Sequence, residues 1–382
     1  MFLKFFNLKG IKGRSLLLIT LFSASSWSVL AVSAFAQSRT ARLYSVEGGT
    51  AQLMRPNWST FYDTFPPTRL NSSDLLRVEP GMDVVLLCPG GDLQGPIPAG
   101  DSNVGSTCMS MPRSVRPSFG VSNQWSAIDP SVPYVITPWA GQVLTPTPML
   151  RWNAADCGQT TYKVTLQRRT GERWADVWSV VSEQASMAYP SDQPGLEPGE
   201  EYVVRVVVRD AEAPEVTEEQ PVETAVFSLV GGEERQAAME AIAAVNALDI
   251  DDATKTLILV EDVYPQYKLF AQGIDELSTL IESGTENANI HRLLGDYYIR
   301  SGLALPAQES YIQAIALASA SENLEEEALA RWGIGTVYGR VGEEAQARTY
   351  LEAAEAIAIT LGDPDLIAGI GAELTRVESM GE

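Results

Sequence analysis

Leu294-Gly295-Asp296-Tyr297-Tyr298, followed by Gly302, Ala307, Tyr311 and Ala314, returns as Ile334-Gly335-Thr336-Val337-Tyr338, followed by Gly342, Ala347, Leu351 and Ala354. Every internal offset is the same in the two copies. A degenerate earlier copy places Val260, Tyr264, Gly273 and Leu277 at matching positions, so the steps between copies are 34 and 40 residues. A period near 34 is the length of a two-helix unit that cannot bury its apolar face alone and must stack on its neighbours. The small residues mark where helix backbones approach: Gly295 and Gly335 on the first helix of each unit, Ala307 and Ala347 on the second. Tyr298 and Tyr338 fill the space beside that contact. Gly302 and Gly342 stand where the first helix ends and a left-handed residue is wanted. Composition agrees, because after Gly231-Gly232 the chain turns to Ala, Glu, Leu and Ile at helical spacing.

On these residues the segment 231–382 resembles the tetratricopeptide-repeat family. The resemblance implies an α-solenoid that holds a protein partner on a concave face lined by first-helix residues. Carried onto this sequence, the family's offsets select Lys255, Asp262 and Gln266, then Asn289, Arg292, Asp296 and Arg300, then Trp332, Thr336 and Arg340. From Gly231 onward there are nine cations against 27 acids, yet four of the nine fall on this face. Two readings follow. The arginines pair with neighbouring acids such as Asp262 and Asp296, or they grip the carboxylates of an extended acidic partner segment, with Trp332 as apolar anchor. The sequence departs from the family at His291 and Arg331, which stand where a tryptophan-like residue is usual, and in lacking a closing proline. About six extra residues near Ser321 to Glu327 lengthen the last connection relative to the 34-residue period. Glu233 to Leu248 predicts a leading helix, and Asp363-Pro364 an N-cap that opens a final one.

Upstream the pattern is β. From 41 to 112, short apolar stretches between Gly48-Gly49, Pro66-Pro67 and Pro80-Gly81 predict a small β domain, with Asp83 to Cys88 as a buried strand. The run from Val46 to Cys88, with Trp58, resembles the FecR-type β module of bacterial envelope proteins. Residues 113–133, rich in Ser, Pro and Gly, read as a linker. From 134 to 230, strands are expected at Met149–Trp152, Tyr162–Leu166, Trp174–Val181, Glu201–Val208 and Thr224–Leu229. Leu150 to Trp152, Tyr162 and the run Leu196 to Tyr202 resemble a fibronectin type III-like sandwich. That resemblance implies a core position for Trp152 and a late-strand position for Tyr202.

The N-terminus carries Lys4, Lys9, Lys12 and Arg14, then the apolar run from Leu16, and ends on Ala34-Phe35-Ala36. That order is a secretory signal over residues 1–36 with cleavage before Gln37; left uncleaved, it would anchor the chain in a membrane. The net charge of −22 becomes −26 once those four cations are removed. Such acidity excludes general nucleic-acid binding. Of three cysteines, Cys88 and Cys108 share the small β domain and are the favoured disulfide in an oxidising compartment, leaving Cys157 odd. A single histidine, His291, leaves too few ligands for zinc and no base for Ser102. Gly333 to Gly339 resembles a dinucleotide loop only in spacing, since it falls within a repeat helix.

The expectation is therefore a multidomain α+β chain: a small β domain, a β-sandwich and an α-solenoid behind an export signal. The whole resembles exported tetratricopeptide-repeat proteins of bacteria, of the kind frequent in cyanobacteria. That implies a non-enzymatic protein-binding scaffold or adaptor of the periplasm or cell envelope, without cofactor or metal. Its partner-binding residues would be Lys255, Asp262, Arg292, Asp296, Arg300, Trp332 and Arg340. The alternative is an envelope sensor whose β domains bind a polysaccharide or small ligand, and an open groove of Trp58, Trp125, Trp174 and Trp178 would favour glycan.

Overall fold

The computed structural model describes residues 40–108, 133–153, 161–209 and 226–380. The signal segment 1–36, Trp125, Cys157 and nearly all of the expected linker lie outside the described residues. Within them the chain is α+β, with β-sheets first and a stretch of helices after. No helix among the described residues is long and apolar enough to cross a membrane.

The first β region comprises β1 (Ala41–Glu47), β2 (Ala51–Met54), β3 (Tyr62–Thr64), β4 (Arg69–Leu70), β5 (Leu75–Val78), β6 (Asp83–Leu87), β7 (Leu93–Gln94), β8 (Gly100–Asn103) and a one-turn helix α1 (Val104–Thr107). They form two four-stranded antiparallel sheets, ordered β4-β1-β6-β7 and β3-β2-β5-β8. Period-two burial decides the inward face: Ala51 and Leu53 in β2, Leu76 and Val78 in β5, Val84 and Leu86 in β6. Cys88, just past β6, is joined to Cys108 at the end of α1, with the two Cα atoms 5.3 Å apart. The bridge closes a loop across 20 residues of sequence and ties the last element of this region to its central strand. Chain-entropy arguments put its contribution at about 3 kcal/mol. Peptide mapping of the non-reduced protein should recover these two cysteines as one linked species, and reduction should lower the unfolding midpoint of this region. Free thiols at both positions would contradict the pairing.

The second β region comprises β9 (Val135–Thr137), β10 (Gly141–Val143), β11 (Leu150–Trp152), β12 (Thr161–Thr170), β13 (Arg173–Ser182), β14 (Ser186–Met187), β15 (Glu201–Arg209) and β16 (Phe227–Leu229). One sheet runs β10-β16-β15-β12-β13, the other β14-β11-β9, with β10 and β16 parallel. Tyr162, Val164 and Leu166 alternate into the core beside Trp152 and Trp178. The Trp152 and Tyr162 rings meet edge to face, 5.6 Å between centroids. Tyr202 Oη accepts a hydrogen bond from the Glu197 backbone N–H at 2.9 Å, which pins the start of β15 to the segment leading into it. β9, β10 and β14 escaped the sequence reading because two or three residues show no period.

Helices follow: α2 (Gly232–Asn246), α3 (Asp252–Ile258), α4 (Phe270–Glu282), α5 (Ala288–Ser301), α6 (Ala304–Ala320), α7 (Leu324–Val341), α8 (Glu344–Leu361) and α9 (Pro364–Glu378). Each of α4 to α8 packs on the next. α3 runs on through a π turn, Leu259–Val263, and a 3-10 turn, Tyr264–Tyr267. Pro265 lacks the N–H that a continuing α-helix would use, which accounts for the degenerate look of the first repeat copy. Gly302 and Gly342 close α5 and α7 with φ of +78° and +87°. Asp363 accepts from the Leu366 N–H and caps α9 ahead of Pro364.

A Cβ added at Gly295 would sit 2.8 Å from the Tyr311 ring, and one at Gly335 would sit 2.7 Å from Leu351 Cγ. The two contacts stand at the same offset in both copies, so the shared spacing is a packing rule. Gly335→Leu is expected to cost about 1–3 kcal/mol or more through overpacking, read as a lowered denaturation midpoint of the helical stretch. An unchanged midpoint would refute the contact. The extra residues expected to lengthen the last connection instead extend a helix. α7 begins at Leu324 and gains a first turn that α5 lacks, while the connection itself is Ser321 to Asn323.

Two buried clusters hold the parts together. One joins the second β region to helices α2–α7 and takes in Leu87. The other joins the first β region to α7–α9, with Ala41, Leu43, Leu53 and Trp58 in the same core as Ala328, Ala347, Leu351, Leu361 and Leu366.

Candidate functional site

The helices turn carboxylates toward the first β region, and that region answers with arginines. The π turn after α3 presents Glu261 and Asp262, the first turn of α7 presents Glu325 and Glu326, and the cap of α9 is Asp363. From β1, Arg42 donates to Glu261 and, at 2.8 Å, to Asp262. Arg69 in β4 donates to the other oxygen of Asp262 at 2.9 Å. Arg55, just past β2, forks onto Glu325 at 2.9 and 2.8 Å and reaches Asp74 at 2.9 Å. Trp58 Nε1 donates to Asp363 at 3.0 Å.

Main-chain contacts complete the seam. Ser59 N–H donates to the Leu361 carbonyl at 3.0 Å, and Asn287 Nδ2 to the Pro66 carbonyl at 3.1 Å. Gly362, at φ +72°, closes α8, and a Cβ there would lie 3.1 Å from Ser59 N. Glycine thus serves both the turn and the close approach. Arg42 and Arg55 are buried. Burial works against their charge, but the facing carboxylates outweigh it and raise both guanidinium pKa values above their already high level. Buried pairs of this kind contribute little net stability when intact, yet leave a costly orphan charge when broken.

Between the β region and the helices lies a cavity of about 300 Å³. Arg55, Arg69 and Asn71 line it from one side, and Asn289, Arg292, Asp296, Arg300, Glu326 and Trp332 from the other. On the helical side, Arg292 binds Glu326 at 2.5 Å and Asp296 at 2.6 Å. Tyr311 donates to the second Asp296 oxygen at 2.7 Å. Burial pushes the Asp296 pKa up from the ordinary carboxylate value, with Arg292 and Tyr311 opposing it. Desolvation also works against the Arg292 charge, but Glu326 and Asp296 more than offset it, and its pKa rises.

The residues selected from the sequence divide. Arg292, Asp296, Arg300 and Trp332 are brought together at the cavity, with Asn289. Asp262 is held by Arg42 and Arg69. Lys255 pairs instead with exposed Asp252 at 3.4 Å. Arg340 lies outside the cavity lining, where nearby Arg376 and burial lower its pKa, burial more strongly. Thr336 donates to the Trp332 carbonyl within α7, and Gln266 to the Asp262 carbonyl. Trp58 and Trp178 are buried and Trp174 is half-buried, so these three line no open groove. Ser102 sits in β8 beside Asp101, which Arg77 holds, and Gly333 to Gly339 lie in α7.

Arg42, Arg55, Arg69, Glu261 and Glu325 were not selected from the sequence. The only signal was a charged residue between apolar ones in a strand, as Arg42 stands between Ala41 and Leu43. Comparison with known proteins finds no matching family model and no matching curated protein.

Proposed function

We propose that the protein is a non-enzymatic scaffold of tetratricopeptide-repeat type, exported to the cell envelope, whose repeat helices recognise a β module. The observation that carries this reading is the seating of Arg42, Arg55, Arg69 and Trp58 on the acids of α3, α7 and α9. The repeated glycine contacts support the repeat assignment. Buried Trp152, the Tyr202–Glu197 bond and the three-plus-five strand division support a fibronectin type III-like spacer. The small first region is read as FecR-like on its sequence alone. Recognition here has the opposite polarity to an acidic segment held by helix arginines, because the helices offer the carboxylates. A protein partner is therefore met by the composite of β module and helices. Four of the five cavity carboxylates, Glu261, Asp296, Glu325 and Glu326, each hold an arginine, which disfavours proton-transfer chemistry at them.

Separately produced segments 40–108 and 231–380 are expected to associate in trans, measured by isothermal titration. Arg42→Glu with Arg55→Glu should abolish the association. Failure to associate, or association indifferent to both reversals, would refute the recognition surface. A second reading, an envelope sensor, is favoured by one observation only, the cavity at the seam.

A further inference from the structure

The cavity between the first β region and the helices contains polar groups that the protein itself leaves unanswered. Four arginines and five carboxylates line it, and three of the arginines, Arg55, Arg69 and Arg292, are engaged with acids. Arg300, on the last turn of α5, has no hydrogen bond or ion pair among the described residues. Its guanidinium lies over the Tyr297 ring, 5.5 Å from the centroid. Asn289 is 8% exposed, and its amide donates to Glu326 at 3.2 Å. Its Oδ1 is buried and accepts from nothing among the described residues. At the mouth, exposed Asp365 on the first turn of α9 makes no ion pair among the described residues. Trp332, Leu293 and Leu366 supply apolar wall.

We infer that this cavity binds a small zwitterion with an apolar side chain, an amino acid or dipeptide. Its carboxylate meets Arg300 and its amine lies toward Asp365. The apolar side chain rests among Trp332, Leu293 and Leu366. The volume, about 300 Å³, is at the small end of ligand pockets and suits a guest of this size. A neutral sugar would leave Arg300 unanswered, and a simple anion would leave Asp365 and the apolar wall unused. The inference rests on the docked arrangement of the two regions and not on the scaffold reading. A scaffold with this cavity would sense the guest at the seam that holds its β module in place.

The test is calorimetric titration of the full chain with leucine and with leucyl-leucine. At least one is expected to bind with a Kd below about 1 mM. Leucinamide, which lacks the carboxylate, and 4-methylpentanoate, which lacks the amine, should each bind at least about tenfold more weakly. These comparisons use the unaltered protein and do not depend on any variant folding. Arg300→Gln should lose at least about tenfold in affinity for the zwitterion while leucinamide binding stays the same. Arg300→Lys should keep part of the affinity. The inference is overturned if neither zwitterion binds, if leucinamide binds as well as leucine, or if R300Q binds undiminished.

Discussion

Replacing Arg292 by methionine is expected to destabilise the helical stretch by about 3–5 kcal/mol, the usual cost of stranding buried charge. Arg292 is 8% exposed and is the only cation bonded to Glu326 and Asp296 among the described residues. Methionine fills much of the same volume, so the loss is electrostatic and not a cavity effect. The pH dependence separates this account from ordinary loss of packing. Burial already holds the Asp296 pKa above its ordinary value, and without Arg292 it rises further. A carboxylate whose pKa is raised in the folded state opposes folding above that pKa, where its charge must be buried. It does not do so below its unfolded value. The destabilisation should therefore be largest near neutral pH and shrink as pH falls through the raised pKa toward about 4. Denaturant unfolding followed by circular dichroism at several pH values measures both effects. A penalty independent of pH would point to packing instead. Converting Asp296 and Glu326 to apolar residues along with Arg292 should restore much of the loss, since a buried network can be exchanged for well-packed apolar groups at little cost.

The second large effect is expected at Arg55. Arg55→Met leaves Asp74, which has no exposed side-chain surface, and the largely buried Glu325 without their shared guanidinium. A cost of about 3–5 kcal/mol is expected here too, but it falls on the seam and not within the helices. Hydrogen exchange should quicken in β2, β5 and the first turn of α7, and leave α5 and α6 little changed. Adding Glu325→Met should recover part of the loss, and the double-mutant cycle should give a coupling of roughly 1–3 kcal/mol. A coupling near zero would mean that the two groups meet without contributing to docking. Loss of protection spread evenly through α5 and α6 would mean that the β region and helices unfold as one unit.

The helical hairpins were legible because their packing rule is local. Gly295 and Tyr311 lie 16 residues apart, as do Gly335 and Leu351, and each pair meets in space, so one period contains the whole contact. The Cys88–Cys108 bond was legible for the same reason. The seam was not. Arg42 meets Glu261 across 219 residues and Arg55 meets Glu325 across 270. In sequence, the run Glu325-Glu326-Glu327 looks like an ordinary solvated start to a helix, and all three turn out to hold arginines, two of them far away in sequence. Offsets borrowed from a repeat family brought Arg292, Asp296, Arg300 and Trp332 to one cavity, because those offsets describe a helix face. Lys255 and Arg340 lie outside that cavity, because a helix face is wider than one cavity. Nothing in the helices alone says that a β module covers that face.

The seam also sets a timetable for the growing chain. Trp58 and Asp363 are hydrogen-bonded across 305 residues, and Arg55 waits 270 residues for Glu325. At common rates of synthesis that interval is about 15 to 50 seconds. Throughout it, the first β region carries Arg42 and Arg55 with no helical carboxylates to receive them. Its apolar residues Ala41, Leu43 and Leu53 share a core with residues still to be made. The helices, whose contacts are short-range, form within a small fraction of that time once they emerge. Docking of the oldest part of the chain onto the newest is therefore expected as the last step of folding. A chain halted before Leu324 keeps most of its strands and its first helices while exposing the surface meant to be covered.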